Sequence, residues 1–200
     1  MSGMRVTKII IKKGRVDGVG VGGEFFRADM VIYNGDIKQT VLDLVGPKHF
    51  ETDYINYVKG LQYSWGGPIM RLALDKELTD IKMLTQFGTT DQEGYYNDLE
   101  IGIIPGELNL FLVVPSNSFP SLVPEGKQLV NLETPVPLNL PKGMDKKLEE
   151  AMLTTVEKYI PRVRDHIIWK EYLTSTGLDK MVGEQGAGIG IGQRPGQVGK

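Results

Sequence analysis

The stretch Val6-Thr7-Lys8-Ile9-Ile10-Ile11-Lys12-Lys13-Gly14-Arg15-Val16-Asp17-Gly18-Val19, continued by Phe25-Phe26-Arg27-Ala28-Asp29 into Met30-Val31-Ile32-Tyr33-Asn34-Gly35-Asp36, constrains the fold most. Its alternation and glycine breaks read as two antiparallel strands, joined at Lys12-Lys13-Gly14, that feed a buried strand at Met30 to Tyr33. Asp36 then stands as a helix N-cap, with apolar positions at Ile37, Val41, Leu44 and Val45 and a stop at Gly46-Pro47. In open α/β sheets ligands sit where such a strand ends and a helix begins. The segment therefore reads as the late part of a nucleotide-binding domain. The strand and glycine-rich phosphate loop that open such a domain are absent from the sequence.

In the second strand Val19 and Val21 point one way, while Gly18, Gly20 and Gly22 leave the other face bare. A bare face admits close approach by backbone or ligand, or lets a twisted hairpin bend. A helix follows from about Glu51 to Leu61, where Phe50, Tyr54, Tyr57, Val58 and Leu61 share a face. Past Gly66-Gly67-Pro68 the period changes to two. Met70, Leu72 and Leu74 take one side, and Ile69, Arg71, Ala73 and Asp75 the other. Alternation recurs at Leu108 to Val114, at Gln128 to Leu132 and at Ile167 to Leu173, which gives a second sheet. Thr90 or Asp91 caps a short helix carrying Tyr95, Tyr96 and Leu99, and Met144 to Ile160 forms a longer one with Leu148, Met152, Val156 and Tyr159 on its face. Proline-rich loops at Pro115 to Pro124 and Pro135 to Pro141 read as surface crossings. Thr176 starts one more short helix through Val182, and the glycine-rich residues 183–199 have almost nothing to bury.

Composition excludes several classes. A net charge of −2 with no clustered Lys or Arg argues against nucleic acid. Without cysteine there is no disulfide framework, thiol nucleophile or cysteine-ligated metal, and an intracellular, cytoplasmic setting is expected. No apolar run approaches the roughly 20 residues of a membrane helix, which leaves peripheral contact with a membrane open. The only histidines, His49 and His166, have no second ligand nearby in sequence, so no metal site is expected. G-x-S-x-G and G-x-x-x-x-G-K-[ST] are both absent. The run Gly186-Ala187-Gly188-Ile189-Gly190-Ile191-Gly192 fails the G-x-G-x-x-G spacing and has no strand before it and no helix after it. Lys146-Lys147-Glu149-Glu150 reads as a solvated helix face. Tyr63-Ser64-Trp65-Gly66-Gly67 concentrates aromatics that either line an apolar pocket or pack in the core.

Taken together, the chain resembles the downstream half of flavin-dependent oxidoreductases of the amine oxidase and phytoene desaturase type. Three places carry the likeness: the meander Val6 to Asn34; the helix with Val41 and Leu44 followed by the strand Met70 to Leu74; and the ending through Thr174 to Gly177, Gly183 to Gly188 and Gln197-Val198-Gly199. The resemblance implies an α/β fold. It comprises a partial FAD-domain meander over residues 1–36, an α+β substrate domain over 37–175 with a mixed or antiparallel sheet of about five strands flanked by helices, and a mobile glycine-rich return segment over 176–200. It implies FAD in the longer parent, with Val6 near the adenine and Asn34 near the flavin. The partners it implies are an apolar substrate, placed against Tyr63, Trp65, Met70 and Leu72, and the FAD-binding half of the parent, which this segment lacks and without which it holds no flavin tightly. No catalytic residue carries over, because the cofactor does the chemistry and the protein positions the reactants. A non-catalytic module resembling the Rab GDP dissociation inhibitors, which bind prenyl groups, is the alternative on the same fold. A self-contained α+β interaction domain is a third reading.

Overall fold

The computed structural model describes residues 3–138, 140–174, 177–178, 190–192 and 195–197. Most of the helix expected from Thr176 and most of the glycine-rich run lie outside these residues. Two compact units are present, one of residues 3–64 with 190–192 and 195–197, the other from Trp65 through Leu178. The helical segment following Asp36 packs on the first strand and belongs to the first unit.

In the first unit β1 (Val6–Lys12), β2 (Arg15–Val21) and β3 (Glu24–Arg27) form an antiparallel meander in that order. Lys13 and Gly14 both take positive φ, 50° and 76°, the turn that matches the twist of a two-residue hairpin. The bare glycine face is filled by backbone at one point, since a Cβ on Gly18 would collide with the Phe26 carbonyl oxygen. The ladder also shifts register between Ile10 and Ile11, so bending and close approach both operate.

The strand expected at Met30 to Tyr33 does not form. Its residues are irregular, and Met30 and Ile32 stand 74% and 88% exposed. A continuous apolar run becomes a buried strand only between neighbours that pair with it and cover both faces. Among the described residues it has no such neighbours. Asp36 does cap the helical segment after it, as Oδ1 accepts the Gln39 N–H at 2.7 Å. That segment continues as a π-helix over Gln39–Val45, and α1 (Thr52–Gly60) succeeds it. Val41, Ile55 and Val58 make the small core of this unit, with Ile37, Leu42, Phe50 and Tyr57 around it. The described part of the return segment joins the same unit: Ile191 bridges to Tyr63, and the Gln197 amide exchanges hydrogen bonds with the backbone of Gln62 at 2.8 Å each way.

The second unit is built on a five-stranded antiparallel sheet ordered β5-β6-β7-β4-β8. Its strands are β4 (Ile69–Leu74), β5 (Met83–Gln86), β6 (Leu110–Val113), β7 (Gln128–Glu133) and β8 (Ile167–Leu173), with helices α2 (Gln92–Glu100) and α3 (Met144–Glu157). One phase of the central strands is buried: Met70, Leu72 and Leu74, Leu110 and Leu112, Val130 and Leu132. These share a core with Tyr95 and Leu99 of α2 and with Leu148, Met152, Leu153 and Val156 of α3. Asp91 caps α2 by accepting the Gly94 N–H at 2.9 Å. Arg164 ties down α3 from below its last turn, reaching Glu150 at 2.7 Å and Glu157 at 2.9 Å.

A polar knot closes one end of the sheet. Gln128, 1% exposed, accepts from Leu78 N and donates to the Thr79 carbonyl and to Asn117 Oδ1, while Asn117 donates to the carbonyls of Thr79 and Ile81. Every side-chain polar atom of these two amides is used, so hydrogen bonds offset the cost of taking Gln128 out of water.

Candidate functional site

With α2 and α3 on one face, the other phase of each strand forms the opposite face of the sheet. The registers define its rows. Met83, Val113, Asn131, Arg71 and Glu171 run across it in one row; Thr85, Phe111, Glu133, Ile69 and Leu173 in the next; Leu129, Ala73 and Trp169 in a third. Five strands at the usual spacing make a platform about 19 Å wide. Most of it is apolar. Met83 is 66% exposed, Trp169 49% and Phe111 39%, whereas their core-facing neighbours Leu112 and Leu132 are at 0% and 1%. Isolated exposed apolar side chains are ordinary, but a contiguous apolar sheet face marks a surface that binds something.

Polar groups interrupt this face only on β7, β4 and β8, apart from Thr85 on the β5 edge. Arg71 Nη1 and Glu171 Oε2 pair at 2.7 Å across β4 and β8, with both side chains more than a third exposed. Glu133 lies between Phe111 and Ile69, and its carboxyl folds against Gly67, where a Cβ would come within 2.5 Å of Oε1. Burial pushes the Glu133 carboxyl above its ordinary range. Asn131 Oδ1, on the same strand and face, is buried without a hydrogen-bond partner.

The residues expected from sequence to contact a substrate are spread out. Met70 and Leu72 are at 0% exposure on the core side of β4, and the half-buried side chains of its opposite phase are Ile69, Arg71 and Ala73. Trp65 stacks on Tyr96 with ring centroids 4.3 Å apart, and Tyr96 meets Tyr95 edge-on, which is the core-packing alternative for this aromatic. Tyr63 belongs to the first unit, where Lys38 Nζ lies 5.1 Å from its ring centroid. Sequence reasoning passes over Glu133 and Asn131. Their signal is present: in Gln128-Leu129-Val130-Asn131-Leu132-Glu133 the outward phase carries an amide and a carboxyl where the outward residues of the flanking strands include Phe111, Val113, Ile69 and Ala73.

A dinucleotide does not fit the described residues. Val6 opens β1 half-buried and opposite Val21, and Asn34 is exposed in the irregular stretch after Tyr33. Two helix N-termini are capped by carboxylates, as Asp36 holds the Gln39 N–H and Asp91 holds the Gly94 N–H, and α1 and α3, whose caps make no side-chain hydrogen bond, carry the negative charge of Asp53 and Asp145 in their first turns, which opposes a pyrophosphate there. Among the described residues no three His, Cys, Asp or Glu side chains gather to hold a metal ion, and no helix is long and apolar enough to cross a membrane.

No family model matches the chain. Over 148 residues, 74% of its length, it is 27% identical to the zeta-carotene-forming phytoene desaturase of Myxococcus xanthus, and it spans 28% of that protein. The fold is shared with solved structures. An oxidoreductase from Methanosarcina mazei superposes with a TM-score of 0.55 at 21% identity, covering 85% of this chain and 36% of that one. The PF1083 protein of Pyrococcus furiosus gives 0.54 at 21% identity, covering 84% and 36%. The chain thus spans about a third of the proteins it is similar to.

Proposed function

We propose that this chain is the substrate-binding side of an oxidoreductase acting on an elongated apolar molecule, with the open face of the five-stranded sheet as one wall of the substrate cavity. The observation that carries this reading is the open face itself. A sheet whose two faces are both largely apolar is built to be covered on both, and among the described residues of this unit helices cover only one. The distant likeness to a phytoene desaturase supports removal of hydrogen as the class of reaction and a molecule with a long polyisoprenoid chain as the substrate type.

In this reading the flavin belongs to another part of a longer protein. Every α-helix of the described residues carries a carboxylate at its cap or in its first turn, which disfavours a pyrophosphate there. Val6 and Asn34 would face that part, and the exposed run Met30 to Tyr33 would complete its sheet as the strand the sequence promises. Positioning the substrate is the work assigned to this chain; hydride chemistry is the cofactor's.

Binding of phytoene in detergent micelles tests the proposal. Phe111→Asp, which puts a charge in the middle of the face, is expected to weaken binding at least about tenfold with the fold intact. Equal binding by the variant overturns the assignment of the face. Purified chain that keeps stoichiometric flavin through gel filtration overturns the placement of the cofactor elsewhere.

A further inference from the structure

The open face is not a uniform hydrocarbon surface. Its polar functions sit at its centre, because β7 is the third of five strands and carries both Asn131 and Glu133 outward. Both are unspent. Asn131 Oδ1 is buried without a partner, and Arg71, next to it across the ladder, commits its guanidinium to Glu171. Glu133 pairs in register with the apolar Phe111 and Ile69 and folds its carboxyl against Gly67, and among the described residues no hydrogen bond compensates its partial burial.

An occupant that is hydrocarbon throughout would cover the partly buried Glu133 carboxyl and leave the already buried Asn131 Oδ1 unpaired, and buried polar groups without partners are costly. An occupant with a hydroxyl at this place reverses the balance. A hydroxyl both donates and accepts, so it satisfies an amide whichever way the amide is turned, and a carboxyl in either protonation state.

We infer that Asn131 and Glu133 form a polar anchor for a hydroxyl group on an otherwise apolar ligand lying across the open face of the sheet. The ligand class is a long-chain or isoprenoid alcohol. The inference rests on the proposed function, since it names the chemistry of the molecule that occupies the same face.

The test compares 1-dodecanol with dodecane as competitors for a fluorescent apolar dye, in wild type, Asn131→Leu, Glu133→Leu, Glu133→Gln and the Asn131→Leu/Glu133→Leu double variant. The quantity read is the ratio of the two competitors' affinities, which removes their different solubilities. In the double variant the preference for the alcohol is expected to fall about tenfold relative to wild type, as it should when a buried polar pair is replaced by apolar side chains. Each Leu single variant falls part of the way, and Glu133→Gln retains the preference because an amide also pairs with a hydroxyl. A ratio unchanged in all variants overturns the anchor while leaving the face as an apolar binding surface. Failure of both competitors to displace dye from wild type overturns the assignment of the face and the anchor with it. Circular dichroism establishes that each variant is folded; where the double variant is not, Asn131→Leu carries the same comparison.

Discussion

Arg71 and Glu171 face each other across β4 and β8 and pair at 2.7 Å, in the row of the sheet that also carries Asn131. The pair closes the polar end of that row and keeps the guanidinium from the neighbouring amide. Both side chains are more than a third exposed, so the pair contributes little to stability. Arg71→Met is expected to change the unfolding free energy by less than about 1 kcal/mol, read by urea denaturation.

Gln128 is the opposite case. It is buried and all its hydrogen bonds go to the segment 78–81 or to Asn117. Gln128→Leu leaves Leu78 N and Asn117 Oδ1 without partners, and a loss of about 1–3 kcal/mol is expected. Amide exchange at Leu78 should accelerate more than exchange in β4, because the local tie is lost while the ladder remains.

Glu133 supplies a pH dependence whose sign is fixed by its environment. Burial raises its folded pKa above the unfolded value, so the folded state binds more protons in the window between the two. Stability contributed at this site therefore falls as pH rises from the unfolded pKa through the folded one. Glu133→Gln removes the penalty. The variant is expected to melt higher than wild type at neutral pH, and the gap should close on acidification below the ordinary carboxylate range. A thermal-melt series over pH checks this.

The contrast between Leu132 and Ile32 tests where the core lies. Leu132 is 1% exposed at the centre of the sheet's helix-covered side, and Ile32 is 88% exposed. Leu132→Ala is expected to cost about 2–5 kcal/mol. Ile32→Ser should stay within about 0.5 kcal/mol of wild type.

Much of the architecture is legible in the sequence because local rules and packing agree there. The alternation of Met70, Leu72 and Leu74, the capping by Asp36 and Asp91, and the stripe Leu148-Met152-Val156 each survive unchanged in the structure. Met30 to Tyr33 shows the limit of that agreement. An apolar run reports that burial is sought, and whether partners exist to provide it depends on chain segments the run does not contain. The edge strand β5 escapes a reading of the sequence for a related reason, since four residues paired on one side carry almost no periodic signal. For the candidate site, Met70 and Leu72 attract attention in the sequence as the larger apolar side chains, and the structure buries both in the core, so the outward side chains of that strand are Ile69, Arg71 and Ala73. The polar centre at Asn131 and Glu133 becomes visible only when the register sets it between Phe111, Val113 and Ile69.

Whether the open face of the sheet is the surface that receives an apolar molecule can be decided by photolabelling with a long alkyl chain bearing a diazirine, followed by mass-spectrometric mapping of the modified residues. The expected result is saturable labelling concentrated in the peptides carrying Phe111, Ile69 and Trp169, and lost in Phe111→Asp. Label confined to the exposed run Met30 to Tyr33, or spread without saturation over the surface, would contradict it.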